Sequence, residues 1–504
     1  MERIGIIDLG SNTARLVIAE MVEGGHFQVI DELKRSTRIG EGMQKDGFIK
    51  AQRAQDTIAT LKKYKRLCDA SGAERIIAVA TAAVRRAKNQ RSFLDEVFAT
   101  TGIKFKVLSA EDEATLVYRG VINSMDIPKG IIFEIGGGST KIVYYNRRNL
   151  LNQETLPFGA VNLKEMFSGE GLSPEEQTKK VEEFFTAELS KIEWLKSVDP
   201  EVQLIGVGGS IRNLARIVKI MRKYPLHQLH DFVVTGDSFD HAYNLIKSLD
   251  IDKTKKLKGI SSGRADVLSS AFAAVKAFKD YMSLDDINVS TCGLREGIMF
   301  NYAMPSTVDK PVSDCLGYSL DALLKIYNQD ESHVNQVVNL SVQLFKQLRV
   351  LHKFPRQYLK ILKVAATLHA IGKNIKFYSY QMHSWYMILN ANLYGISHRD
   401  IVLAAFTVAL HKTEDISLAE WAKYRDLVSD DDLDTVRKLG LMLRLADSLD
   451  RTKAGLVVNV NCDILGDSVI MKAEVTGDAT LEISDAMDAA PDFRKVFKKN
   501  LEIL

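Results

Sequence analysis

The sequence predicts an α/β fold built from two duplicated halves, followed by an all-α domain and a small α+β domain. Three observations lead to that reading. The first is an internal echo: Ile4-Gly-Ile-Ile-Asp8-Leu-Gly10-Ser-Asn-Thr-Ala-Arg15-Leu-Val-Ile18 recurs 126 residues later as Gly130-Ile-Ile-Phe-Glu134-Ile-Gly136-Gly-Gly-Ser-Thr-Lys141-Ile-Val-Tyr144. The second is that apolar strands alternate with helical stretches after each copy, the pattern of helices packed on a sheet. The third is a change of hydrophobic period near residue 304, from mixed to almost wholly helical.

Each copy of the echo reads as a buried strand, an acid at its end, a Gly-rich turn, a hydroxyl residue and a second strand beginning near a cation. A helix over 51–69 and a strand over 75–80 follow the first copy, placing one half at 1–122. A helix over 174–195 and a strand over 203–207 follow the second, placing the other half at 123–303. Met304-Pro305 and Lys310-Pro311 read as a linker, because Pro restricts the residue before it and interrupts helices. From 304 to 454 the apolar residues keep helical spacing, as in Val334, Val337, Val338, Val342 and Phe345. In the tail, 455–504, the segments 456–464, 468–475 and 479–483 read as strands and 491–501 as a helix.

With 504 residues, 46% hydrophobic and 26% charged, the chain can bury a sizeable core, which excludes a disordered or collagen-like protein. Lys+Arg is 67 against Asp+Glu 64, a net charge of +3, so sequence-independent nucleic-acid binding is not expected. The N-terminus lacks the apolar core of a signal peptide, and no run reaches the ~18 apolar residues of a membrane span. Cys68, Cys292, Cys315 and Cys462 are scattered without a C-x-x-C pair, which fits a reducing compartment. The expectation is a soluble cytoplasmic protein with neither nucleic acid nor membrane as partner.

The turns Asp8-Leu-Gly10-Ser11-Asn12-Thr13 and Glu134-Ile-Gly136-Gly137-Gly138-Ser139-Thr140 offer backbone N–H groups and hydroxyls at close approach, the makings of a phosphate cradle. A plain hairpin also selects glycine for its turn, but two related copies favour the cradle. A third turn, Gly206-Val-Gly208-Gly209-Ser210-Ile-Arg212-Asn213-Leu, opens a helix whose N-terminal dipole suits another anion.

Taken together, these segments resemble the exopolyphosphatase and guanosine pentaphosphatase family, within the actin-like ATPase superfamily. The resemblance rests on Asp8-x-Gly10-Ser11-Asn12-Thr13-x-Arg15, Ala80-Thr81-Ala-Ala-Val-Arg85, Ser109-Ala-Glu111-Asp-Glu113-Ala114, the Gly136–Thr140 turn, Gly208-Gly209-Ser210, Arg264-Ala265-Asp266 and Gly293-Leu-Arg295-Glu296-Gly297. It implies two actin-like (ribonuclease H-like) halves. It also implies removal of the terminal phosphate of inorganic polyphosphate or of the 5′ end of pppGpp, with water as acceptor and a homodimer as the assembly. Glu113 would be the general base. The residues assigned to substrate are Asp8, Gly10, Ser11, Asn12, Thr13, Arg15, Arg85, Gly136, Gly137, Gly138, Ser139, Lys141, Gly208, Gly209 and Ser210. Arg86, Lys88 and Arg91, like the runs Lys62, Lys63, Lys65, Arg66 and Lys253, Lys255, Lys256, Lys258, read as solvated surface.

The sequence departs from the family at its metal. The family pattern has Asp at the end of the second strand pair and Glu seven residues on, serving Mg²⁺; here Glu134 and Lys141 stand there, leaving Asp8 and Glu134 as candidate ligands. The expectation is that the Lys141 ammonium supplies part of the charge Mg²⁺ would bring, so that the metal requirement is weakened. In the helical region His333, His369-Ala370, His383, His411 and Asp447 resemble a degenerate HD-type phosphohydrolase domain that lacks an acid at Ala370. Those histidines are expected to pack or hydrogen-bond, with no independent hydrolase there. The rival readings are a polyphosphate or (p)ppGpp sensor and a kinase of the same superfamily.

Overall fold

A computed structural model describes residues 2–168, 172–305, 310–412 and 417–504. The chain forms two compact units, one of residues 1–224 with 229–315 and one of 225–228 with 316–504.

The first unit holds the duplication. Strands β1 (Arg3–Leu9), β2 (Ala14–Val22), β3 (His26–Arg35), β4 (Arg75–Ala80) and β5 (Phe105–Val107) form a sheet in the order β3-β2-β1-β4-β5. The second sheet contains β6 (Lys129–Ile135), β7 (Thr140–Asn146), β8 (Asn149–Leu156), β9 (Gln203–Val207), β10 (Phe232–Val234) and β11 (Ile287–Val289), ordered β10-β11-β9-β6-β7-β8. Apart from the antiparallel edge strand β10, the two orders are the same. In each sheet an antiparallel hairpin is joined to a parallel strand.

β1 and β6 even bury their residues in the same pattern. Alternate residues point to opposite faces of a strand. Ile7 and Leu9 therefore enter one core with Leu61, Tyr64 and Phe93, while Ile4 and Ile6 enter another. In the second half Ile131, Phe133 and Ile135 pack with Phe185, Phe272 and Phe278.

The helix Ala110–Ile122 starts under Ser109, whose side chain accepts from the Asp112 N–H at 2.9 Å. That cap satisfies one of the free N–H groups at the helix start. The helix lies backbone-close to the helix Leu294–Ala303: a Cβ on Gly120 would strike the Gly293 carbonyl, and one on Gly297 the Leu116 carbonyl. Two glycines thus fix the height at which the first turn of Ala110–Ile122, and Glu113 on it, stands over the sheets.

The second unit is helical from 316 to about 450, with the helices Glu331–Gln347, Tyr358–Leu368, Tyr380–Asn390, His398–Leu410 and Asp431–Ser448. Its sheet of β12 (Val457–Leu465), β13 (Ser468–Val475) and β14 (Asn500–Ile503) belongs to the same compact unit. Here the tail departs from expectation. Residues 479–483 begin the helix Thr480–Met487 instead of a strand. Asp478, just before it, accepts from the Thr480 N–H at 3.1 Å, and Glu482 and Ala486, four apart, are its buried residues while Leu481 is exposed. The next helix, Ala490–Phe497, is shorter than expected, and Leu501 and Ile503 bury alternately in β14, paired parallel to β13. Among the described residues no helix is long and apolar enough to cross a membrane.

Candidate active site

The two Gly-rich turns close with the same hydrogen bond, Gly10 N–H to the Thr13 carbonyl at 3.1 Å and Gly136 N–H to the Ser139 carbonyl at 2.9 Å. They face one another. A Cβ on Gly137 would lie 3.1 Å from the Asn12 Cβ, and one on Gly138 would collide with the Ser11 hydroxyl. The second turn is bare glycine where the first turn carries side chains. Gly208, at φ +94°, starts the helix Gly208–Arg222, and the Arg264 guanidinium covers Gly209 so closely that no Cβ fits. At Gly208 the left-handed φ by itself selects glycine.

These turns line a cleft of about 110 Å³ together with Asp8, Arg15, Glu113, Glu134, Lys141, Arg212, Arg264, Arg295 and Glu296. Five cations and four carboxylates therefore share it. Burial pulls Arg212 down to about 9, helped by Arg15 and Arg295, and Arg264 to about 10, helped by Arg15. Cations buried at this cost, with the Arg264 Nε lacking a hydrogen-bond partner among the described residues, are stabilised by an incoming anion. Arg212 donates to the Thr291 carbonyl at 3.2 Å and Arg295 to Glu32 at 3.0 Å.

The carboxylates are held differently from one another. Glu113, 4% exposed, meets the Lys141 Nζ through Oε1 at 2.7 Å and the Arg85 Nη1 through Oε2 at 2.9 Å. Lys141 Nζ also meets Glu134 Oε2 at 2.9 Å. Burial opposes the charge on Glu113, but Lys141 and then Arg85 outweigh it, and its carboxyl titrates below the usual range. For Lys141 burial acts against the charge, yet Glu113 and Glu134 push its titration up. At Asp8 burial wins over Arg295 and Arg15, and the carboxyl is raised to about 6.

Most residues expected at the site line this cleft. Arg85 does not: its guanidinium is taken by Glu113 and by the Leu108 carbonyl at 2.9 Å, so it holds the acid instead of reaching the cleft. Ser210 is fully buried in the first turn of its helix, away from the lining. Arg86, expected on a solvated face, donates to the Gly138 carbonyl at 2.8 Å and to the Pro157 carbonyl, tying the second turn to the first half. Arg91 is the exposed residue it was expected to be, its side chain 95% accessible. Arg212, Arg264 and Arg295 were not singled out from the sequence. All three stand inside motifs quoted above, and Arg212 lies one helical turn after Gly208, a spacing that could have marked it.

The donors do not suit Mg²⁺ between Glu113 and Glu134. A hard cation needs oxygen ligands at about 2.0–2.1 Å, and the point on which both carboxylates converge holds the Lys141 ammonium. The other candidate ligand, Asp8, is raised by burial and lies in the field of Arg295 and Arg15. In the second unit His333, His369 and Asp447 come together, with His411 beside them, whereas His383 is not part of that group.

The Ppx/GppA phosphatase family profile matches residues 17–305, and the profile of domain III of that family matches 318–482. The guanosine-5'-triphosphate,3'-diphosphate pyrophosphatase of Vibrio vulnificus is 26% identical over 394 residues, 78% of this chain and 77% of that protein. A bifunctional 3-dehydroquinate synthase/phosphatase of Fusobacterium nucleatum is 29% identical over 298 residues, 56% of this chain; the chain spans only 44% of that relative's length. Among solved structures, the Ppx/GppA family member of Aquifex aeolicus is 30% identical at a TM-score of 0.52, covering 60% of this chain and 98% of its own. An exopolyphosphatase of Cytophaga hutchinsonii, 24% identical with a TM-score of 0.56 over 62% of this chain and 99% of its own, shares the fold.

Proposed function

The chain belongs to the Ppx/GppA phosphatase family, and we propose that it releases terminal orthophosphate from inorganic polyphosphate or from the 5′ end of pppGpp by attack of water in the cleft of the first unit. The observation that carries this reading is the convergence of four arginines and two glycine-rich turns on a buried, ionised Glu113. Phosphoryl transfer asks mainly for position and for positive charge around the equatorial oxygens. The turns cradle the terminal phosphoryl through backbone N–H groups, and Arg15, Arg212, Arg264 and Arg295 meet the charge along the chain. Guanidinium groups bind phosphate bidentately.

The water oxygen forms the new P–O bond as the bridging P–O bond breaks. Its proton passes to Glu113, and the departing chain carries away the bond's electron pair. Glu113 is a weak base, but in a loose transition state the nucleophile loses its proton late, so orienting the water is its main task. Lys141 keeps Glu113 ionised and brings one positive charge where the family places a divalent ion, so release persists in chelator. The same reading has a cytoplasmic homodimer, which sedimentation velocity tests, and a helical unit, HD-like by resemblance, without hydrolase activity of its own.

The experiment is phosphate release from long-chain polyphosphate and from pppGpp, for the native chain and Glu113→Gln, with and without EDTA. Glu113-dependent release in EDTA supports the proposal. Binding of either compound without such release favours the sensor, a reading supported by the two cations clamped on Glu113.

A further inference from the structure

In the second unit the ends of four helices converge on a set of imidazoles and one carboxylate that the proposed chemistry of the first unit does not use. His333 lies in the first turn of Glu331–Gln347, His369 just after Tyr358–Leu368, His411 just after His398–Leu410, and Asp447 near the end of Asp431–Ser448. All four are buried, with His369 and His411 at 0% exposure.

The Nδ1 atoms face outward from the cluster. His333 Nδ1 meets Asp450 Oδ2 at 2.7 Å, His369 Nδ1 the Ala366 carbonyl at 2.7 Å, and His411 Nδ1 the Val408 carbonyl at 2.5 Å. A carbonyl only accepts, so the Nδ1 of His369 and of His411 carries the proton. That leaves the Nε2 atoms as donors of lone pairs toward a common centre, the arrangement in which metal-binding histidines are held.

The inner geometry has the size of a coordination shell. His333 Nε2 and His369 Nε2 lie 3.5 and 3.4 Å from the same atom, Asp447 Oδ1, and the three ligand atoms fall within 4.8 Å of one another. A tetrahedral ion with bonds of about 2.0–2.1 Å has ligand edges of about 3.3–3.4 Å. These separations are also too long for good hydrogen bonds, and among the described residues the fully buried His369 Nε2 has no hydrogen-bond partner. A histidine that only fills a core would be satisfied at that atom. Lys412 does not compete for the shared atom: its Nζ bonds the other oxygen, Asp447 Oδ2, at 2.6 Å, and so orients the carboxylate. On the open side stand His411 Nε2 and the Tyr380 hydroxyl, 3.4 Å apart.

We propose that His333, His369 and Asp447 bind one divalent transition-metal ion of the zinc class, with the fourth position open toward His411 and Tyr380. Two imidazoles and one carboxylate suit zinc, cobalt or nickel and not magnesium or calcium, which take oxygen sets. Ala370, read from the sequence as the loss that spoils a cation site, removes one acid and still leaves a complete three-ligand set for a single ion. Nothing in this inference depends on the activity proposed for the first unit.

The test uses the full chain, stripped with chelator, dialysed against Zn²⁺ or Co²⁺, and analysed for metal content and by visible absorption. One equivalent of metal per chain, an intense d–d spectrum of tetrahedral Co²⁺, and a melting temperature that rises with Zn²⁺ concentration as linkage requires are expected. His369→Gln, with unchanged far-UV circular dichroism, is expected to lose both the bound equivalent and the spectrum. A native chain that takes up no stoichiometric Co²⁺ and shows no shift in melting temperature overturns the proposal, whatever the variant does. Retention of the full equivalent and spectrum by His369→Gln overturns the ligand assignment.

Discussion

The two copies of the hairpin share register, turn and burial, and differ in what their paired charges do. Asp8 lies opposite Arg15 and Glu134 opposite Lys141 at equivalent rungs. In the first copy no ion pair joins the two among the described residues, and burial raises Asp8 to about 6. In the second, Lys141 binds Glu134 and reaches across to Glu113 at 2.7 Å. One backbone has thus been given two electrostatic duties. The first cation makes no ion pair among the described residues, and the second is held between Glu134 and Glu113.

The sharpest way to break this comparison is to remove each cation in turn. Lys141→Met takes one of two cations from the buried Glu113 and the ammonium from the partly buried Glu134, and is expected to lower stability by about 3–5 kcal/mol, as breaking a buried pair does. Arg15→Met removes a desolvated charge that has no ion-pair partner among the described residues, and is expected to cost less stability than Lys141→Met while raising KM for polyphosphate. Equal losses of stability would show that the copies are electrostatically alike.

Lys141→Glu adds a third oxygen donor. It is expected to abolish phosphate release in EDTA and to restore it with millimolar Mg²⁺, so that a chelator titration separates it from the native chain. Gly138→Ser, which puts into the second turn the kind of side chain the first turn carries, drives a Cβ into the Ser11 hydroxyl. A cost of about 1–3 kcal/mol and a higher KM are expected, whereas Asn12→Gly, which empties the first turn, should cost less.

The smallest effects are those of pH. Glu113 is depressed, so the stability it contributes is complete above about 4.5 and is lost as pH falls below that value; native chain but not Lys141→Met should show that acid limb. Asp8 is raised, so its ionisation costs stability, a cost that appears as pH rises from about 4 to 6. Asp8→Asn is therefore expected to melt higher than the native chain at pH 7 and to match it below pH 4.

Much of this comparison was legible in the sequence because its determinants are local. A strand has period two and a tight turn has its own residue preferences, so the repeated acid, glycines and cation at fixed spacing were enough to identify two hairpins and align Lys141 with Arg15. The misread tail shows where local pattern is too short: five residues from 479 to 483 carry apolar residues at alternate positions, yet the chain there forms a helix that buries Glu482 and Ala486, four apart. Arg85 and Arg86 are neighbours in the five-residue helix Ala82–Arg86. Successive helix positions point about 100° apart, so one reaches Glu113 and the other Gly138, and nothing in the residue type separates them.

By itself, then, the sequence determined the duplication, the family, the glycine cradle and the exchange of a carboxylate for Lys141. Tertiary structure alone decided which charges meet. It aimed Arg212, Arg264 and Arg295 into the cleft, turned Arg85 onto Glu113, and gathered His333, His369 and Asp447 from helices far apart in the chain. The physical reason is range. Backbone preference acts over a few residues, whereas burial and Coulomb attraction act through space between residues whose separation along the chain carries no information about their distance.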